Sequence, residues 1–210
     1  PGLEQRAAEL VAGLAPDLVV LTGDYQFRGE PAASETGRLL APILAAARPR
    51  LGAVAVLGNH DGHAMVEVLE GLGVRVLVNE RLTLELDGAR LAITGVDDVH
   101  KFHSPEAEAA IGDPGDGFRL ALVHTPELAG LAAESGFDLY LCGHTHGGQI
   151  CLPGGRAVFT LVDRHPELAA GPWRLGRMAG YTSRGVGVGF PPLRFNCPGE
   201  VALLTLRRTP

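Results

Sequence analysis

Four short apolar runs, each closing on a small polar cluster, constrain this sequence more than any other feature. Asp17–Thr22 (DLVVLT) leads into Gly23-Asp24, and Gly52–Leu57 (GAVAVL) leads into Gly58-Asn59-His60-Asp61. Phe118–Val123 (FRLALV) leads into His124, and Phe137–Cys142 (FDLYLC) leads into Gly143-His144-Thr145-His146. Such runs read as strands buried on both faces, which occur where helices cover a largely parallel sheet. Ligand sites in sheets of this kind lie outside the carboxyl ends of the strands. If the strands are parallel neighbours, all four clusters face one crevice. Glycine makes up 29 of the 210 residues, about twice its usual share. Neither a collagen period nor a Gly/Ser linker accounts for that excess. Glycines at the strand ends, which let the backbone turn sharply, account for part of it.

The intervening sequence fits layered α/β architecture. Leu3, Ala7, Leu10, Val11 and Leu14 share one helical face, and Pro16 ends that helix. Further helices are predicted over 32–47 (with Pro42 a local cost), 64–70, 105–111 and 126–134, and a strand over 74–78. Residues 81–87 and 89–95 read as a hairpin across Asp87-Gly88. Beyond Cys142 the helical signal fades, and 149–152, 178–183 and 201–207 read as strands between Gly/Pro-rich turns. Alternation first and strands later predict two packed sheets. No linker or repeat divides the chain, so residues 1–210 are expected to form a single domain.

Charge and cysteine content exclude other classes. Eighteen Lys+Arg against 24 Asp+Glu give a net charge of −6, so no nucleic-acid binding is expected. Cys142, Cys151 and Cys197 are too few for a disulfide framework and read as free thiols. No apolar stretch approaches the ~18 residues of a membrane span. The opening Gly2–Gly13 alternates charge with alanine and is no signal peptide. The chain starts at Pro1, and an upstream segment is expected; membrane association would come only through it. Location stays open between the cytoplasm and a membrane periphery.

The clustered residue types suit metal chemistry. Asp24 offers two carboxylate oxygens, Asn59 a neutral carbonyl oxygen, and the histidines imidazole nitrogens. Mixed N/O ligation without thiolate suits Mn, Fe or Zn and argues against a structural zinc site. Two such ions held ~3.5–4 Å apart acidify water and clamp phosphate oxygens for in-line attack.

GDYQF, GNHD, LVHTPE and GHTHGGQ, in that order, resemble the motifs of the calcineurin-like metallophosphoesterase superfamily. GHTHGGQICLP (143–153), SRGVG (183–187) and PLRF (192–195) resemble one branch of it. That branch holds bacterial phosphodiesterases and hydrolases of UDP-2,3-diacylglucosamine. The resemblance covers essentially the whole chain and implies a four-layer α/β/β/α sandwich of two mixed sheets flanked by helices. It implies two divalent metal ions, with Asp24 bridging them, Asn59, His124 and His144 completing one shell, and His146 binding the other ion. It also implies a metal-bridged hydroxide as nucleophile, His60 as the general acid, and Asp61 as the group orienting the His60 imidazole. A poor alkoxide leaving group needs a proton, and imidazole titrates near working pH. The implied substrate is a phosphodiester, phosphomonoester or pyrophosphate, lipid-linked in that branch.

Two departures from the family pattern stand out. The second aspartate of G-D-x-x-D is Phe27, and the opening D-x-H is absent. The expectation is therefore a domain missing its first strand, with one ion rather than two if Pro1 is the true start. The rival reading, a binding scaffold on the same fold, has no need of His60 or His146, and both are present. Elsewhere, Asp97, Asp98, His100 and His103 read as a solvated loop, and His63 as the start of a helix. Arg184 and Arg194 fit either a substrate phosphate or surface ion pairing. Cys142 reads as a small core residue.

Overall fold

The structure, a computed structural model, describes residues 3–28, 31–99, 104–160, 162 and 165–207. Helix α1 (Leu3–Ala12) turns Ala7 and Val11 inward and packs on α2 (Ala33–Ala47), which runs through Pro42. Met65 and Leu69, one turn apart on α3 (Ala64–Gly71), are fully buried. Helices α2 and α3 cover a sheet of three short parallel strands, β1 (Val19–Leu21), β2 (Ala53–Ala55) and β3 (Val74–Val76), in that order.

The second sheet has six strands, β4 (Glu80–Leu86), β5 (Ala89–Gly95), β6 (Phe118–Leu122), β7 (Leu139–Cys142), β8 (Gly171–Leu175) and β9 (Met178–Thr182). Their order is β4-β5-β6-β7-β9-β8, with β5, β6, β7 and β9 parallel and the two outer strands antiparallel. The smaller sheet, as described, is purely parallel, so only the larger is mixed. Helices α4 (Pro105–Gly112) and α5 (Ala129–Ser135) cover its outer face.

Strand alternation builds the layers. Leu120, Leu122, Leu139 and Leu141 point from β6 and β7 toward Val54 and Val56 of the other sheet. Ala121, Val123, Tyr140 and Cys142 point the other way, toward α4 and α5. Ala53, Ala55 and Leu57 face Met65 and Leu69. The result is helices, sheet, sheet, helices, as expected.

Three sequence expectations change. Residues 149–152 form only isolated bridges, Ile150 to Phe195 and Cys151 to Ala157. Residues 201–207 carry no strand pairing among the described residues, although Leu203, Leu204 and Leu206 stand exposed there. Conversely, β8 escapes the pattern because Pro172 interrupts it; an edge strand tolerates proline, and Pro172 sits opposite Tyr181 on the outermost strand. Cys142, Cys151 and Cys197 are free and buried, and burial pushes the Cys142 thiol up to about 12.

One ion pair ties the starts of β6 and β7. The Arg119 Nε and Nη2 donate to Asp138 Oδ2 and Oδ1 at 2.9 Å each. Burial pushes the Asp138 carboxyl up, but the Arg119 hydrogen bonds and charge more than offset this and hold it below 3.8. Both side chains are about a third exposed, so the pair is worth about 1 kcal/mol after solvent screening. A carboxylate whose folded pKa is depressed stabilises the fold above its unfolded pKa and loses that effect as pH falls through the folded value. Asp138→Asn is therefore expected to lower urea stability at neutral pH, with the gap from wild type closing only below pH 3.8.

Candidate metal centre

Asp24 follows β1, Asn59 follows β2, His124 follows β6 and His144 follows β7, so each sheet contributes two side chains. The Nε2 of His124 lies 3.1 Å from Asn59 Oδ1, 3.1 Å from His144 Nδ1 and 3.3 Å from Asp24 Oδ2. His144 Nδ1 is 3.0 Å from Asn59 Oδ1. Donors bound at about 2.1 Å to one cation stand roughly 3.0–3.4 Å apart, so this set fits a divalent ion.

Tautomer chemistry agrees. The Nδ1 of fully buried His124 sits 2.7 Å from the Thr22 carbonyl, which can only accept. Nε2 of the neutral ring therefore presents a lone pair to the cluster. Burial pushes His124 down, but its hydrogen bond and charge interaction with Asp24 win and raise it. Burial likewise pushes Asp24 up, while the His124 contacts bring it lower.

Backbone geometry makes the convergence possible. Asp24 and His144 adopt left-handed φ of 59° and 66°, a strained state in non-glycine residues. A Cβ on Gly58 would collide with the Asp24 carboxylate and backbone N and stand 2.7 Å from His124 Cε1. On Gly23 it would meet Gly58 N at 2.6 Å and His124 Nδ1 at 2.8 Å. The two glycine turns interlock over the ligands.

Asp61 has a different task from the one expected. Its Oδ2 accepts the N–H groups of Asp24 and Gly58 at 2.8 Å, and its Oδ1 those of Tyr25 at 2.8 Å and Gln26 at 3.0 Å. The carboxylate pins the Gly23-Asp24 turn to the GNHD turn, and its oxygens are turned to these four N–H groups rather than to the His60 ring. Burial pushes its pKa up to about 6, against the backbone N–H bonds that favour the ion. His60 donates its backbone N–H to Asp24 Oδ1 at 3.0 Å, and its ring packs 4.9 Å from that of Phe27. The departure Phe27 thus supplies an apolar wall for His60.

His146 lies near enough to feel the charges of Asp24, His124 and His60. Burial first, and the Arg194 guanidinium second, hold its imidazole below the ordinary value, favouring the neutral ring that binds metals. Its buried Nδ1 has no hydrogen-bond partner among the described residues. Asp98 departs from its reading as solvated: it is fully buried and acts electrostatically on His124. Asp97 is partly buried, while His100 and His103 lie outside the described residues. His63 stands at the N-terminal boundary of α3, and its side chain makes no capping hydrogen bond. Arg184 pairs with Glu200 at 3.4 Å. Thr22, which orients His124 through its carbonyl, carries no sequence signal because any residue offers that atom.

Known proteins share this sequence pattern and fold. A family model described as calcineurin-like phosphoesterase matches residues 1–148. The chain is 33% identical over 202 residues to phosphodiesterase YaeI of Escherichia coli, covering 91% of this chain and 70% of that protein. It is 32% identical over 201 residues to the uncharacterized metallophosphoesterase YkuE of Bacillus subtilis, covering 92% and 69%. Among solved structures, a hypothetical protein from Thermus thermophilus superposes with a TM-score of 0.52 at 19% identity, over 85% of this chain and 69% of that one. The NAD nucleotidase of Haemophilus influenzae gives 0.51 at 15%, over 87% and 43%, and shares the fold.

Proposed function

Since this chain belongs to the calcineurin-like phosphoesterase family and is a metal-dependent phosphoesterase, we propose that it hydrolyses a phosphodiester with two divalent ions (Mn, Fe or Zn). Asp24, Asn59, His124 and His144 would hold one ion, and His146, together with Asp24, would hold the second. The observation that carries this reading is the meeting of four donors from two sheets at 3.0–3.3 Å. Divalent ions in such a place neutralise phosphoryl charge and acidify water. His60 gives the proton to the leaving oxygen. Its backbone N–H is fixed to the Asp24 carboxylate at 3.0 Å, and its ring packs against Phe27, which covers one side. Asp61 positions Asp24 through the backbone.

A diester is favoured over a monoester by similarity to the E. coli phosphodiesterase. An apolar, lipid-linked substrate is supported by Leu152, Val158, Phe159, Phe190, Leu193 and Phe195. These are exposed, Phe190 by 81%, on loops that meet at His146–Gly148. Residues 1–210 act as one domain in this reading.

The test is metal analysis of the purified chain together with hydrolysis of bis-p-nitrophenyl phosphate. Manganese is expected to stimulate turnover, and Asp24→Ala to abolish both binding and activity. His60→Ala is expected to slow alkyl diesters by about 100-fold, and p-nitrophenyl esters less because that leaving group needs no proton. Less than one bound equivalent with no stimulated hydrolysis would refute the reading.

A further inference from the structure

The chain from His146 to Gln149 holds four consecutive left-handed residues, with φ of 51°, 62°, 80° and 54°. His146 and Gln149 are not glycines, and side chains persist in that region only where surroundings hold them. This turn presents the His146 carbonyl to Arg194, whose Nη1 donates to it at 3.0 Å.

Arg194 reaches this carbonyl as the hub of a larger clamp. Its Nε donates to Gly187 O at 2.9 Å, and its Nη1 also to Cys197 O at 3.3 Å. Its Nη2 donates to Gly187 O at 2.7 Å, to Gly185 O at 3.3 Å and to Arg184 O. All three guanidinium nitrogens are thus engaged with backbone, which leaves the group committed to carbonyls rather than to a substrate phosphate. The segment it gathers is anchored in turn: Glu200 accepts the Arg184 N–H at 3.0 Å and donates its own N–H to Gly185 O at 3.0 Å. The same segment continues to Gly189, where a Cβ would stand 3.8 Å from His146 Nε2. Cys197 closes the back of the turn, its Sγ 3.4 Å from both the His146 and Gly147 carbonyls.

We propose that Arg194 is a positioning residue of the active site: by fixing the His146 carbonyl within this clamp, it aims the His146 imidazole at the second metal position. The proposal rests on His146 being a metal ligand, as proposed for the phosphoesterase reaction. Only a planar, forked cation reaches carbonyls on three segments at once; the ammonium of lysine is a point donor and cannot.

The test uses the full chain as wild type, Arg194→Ala, Arg194→Lys and His146→Ala. Each is titrated with Co²⁺ followed by its visible spectrum, and assayed with Mn²⁺ and bis-p-nitrophenyl phosphate with and without millimolar guanidinium. Loss of a supporting partner of a ligand typically costs about 10–100-fold in metal affinity or activity. Arg194→Ala and Arg194→Lys are expected to show that loss in the Co²⁺ event that His146→Ala removes, with the other event intact. The kcat should fall with little change in KM. Guanidinium should restore the alanine variant, which has room for it, and not the lysine variant. If Arg194→Ala does not fold, the lysine variant carries the same comparison of the two binding events. Unchanged Co²⁺ binding in the Arg194 variants while His146→Ala loses one event overturns the proposal alone. Equal weakening of both events without guanidinium rescue also overturns it, because that marks a general structural role. No effect of His146→Ala on Co²⁺ binding overturns the ligand reading of His146 beneath it.

Discussion

Gly58→Ala is expected to silence the metal centre although Gly58 supplies no ligand. Its missing side chain is the space in which the Asp24 carboxylate sits, and the His124 ring edge stands 2.7 Å from where a Cβ would go. Neither neighbour has freedom to yield. Asp24 is held through its backbone N–H by Asp61, and His124 by the Thr22 carbonyl. The methyl group therefore pushes Asp24 out of the cluster or parts the two strand ends. Displacements of about 1 Å at reacting groups cost on the order of 100-fold in rate, and overpacking costs about 1–3 kcal/mol in stability. Metal content, turnover and a urea melt of the variant check both. Near-normal metal content and activity would mean that the cradle is looser than this packing implies.

Asp61→Ala should be the most destabilising single change near the site. It removes the acceptor of four backbone N–H groups from a side chain that is 7% exposed. Each orphaned buried donor costs about 1–3 kcal/mol, and partial hydration of the new cavity keeps the total to roughly 3–5 kcal/mol. Asp61→Asn makes the sharper comparison. Its amide keeps one oxygen for one pair of donors and turns an NH₂ against the other, so about half of the loss is expected. Activity should fall in step with stability in both variants, since the same bonds set the Asp24 turn. If Asp61→Asn loses turnover yet keeps full stability, the carboxylate acts on chemistry directly and its clamp role is secondary.

The sequence is legible wherever one physical period dominates. The apolar runs ending at Gly23, Gly58, His124 and Gly143 lie where the site gathers, because burial on both faces forbids polar residues until the strand stops. The Asp87-Gly88 hairpin is equally plain, since the turn demands those residue types. Illegible were features set by partners distant in the chain. The resemblance pairs Asp61 with His60, whereas its oxygens accept N–H groups about 35 residues earlier. Asp98 reads as solvated by type and is buried by the fold. Arg194 gives no clue in composition that its guanidinium would be spent on carbonyls. Residues 149–152 and 201–207 have strand-like side chains, but pairing depends on a neighbour and not on the segment alone.

Two ligands stand on each sheet, and this has a mechanical consequence. The spacing between donors follows the spacing between the sheets at that end of the sandwich, which the leucines of β6 and β7 facing Val54 and Val56 help to set. Metal affinity is thus a caliper on the packing of the interior. Trimming Leu122 or Leu141, neither of which supplies a donor, would reset the gap between the jaws.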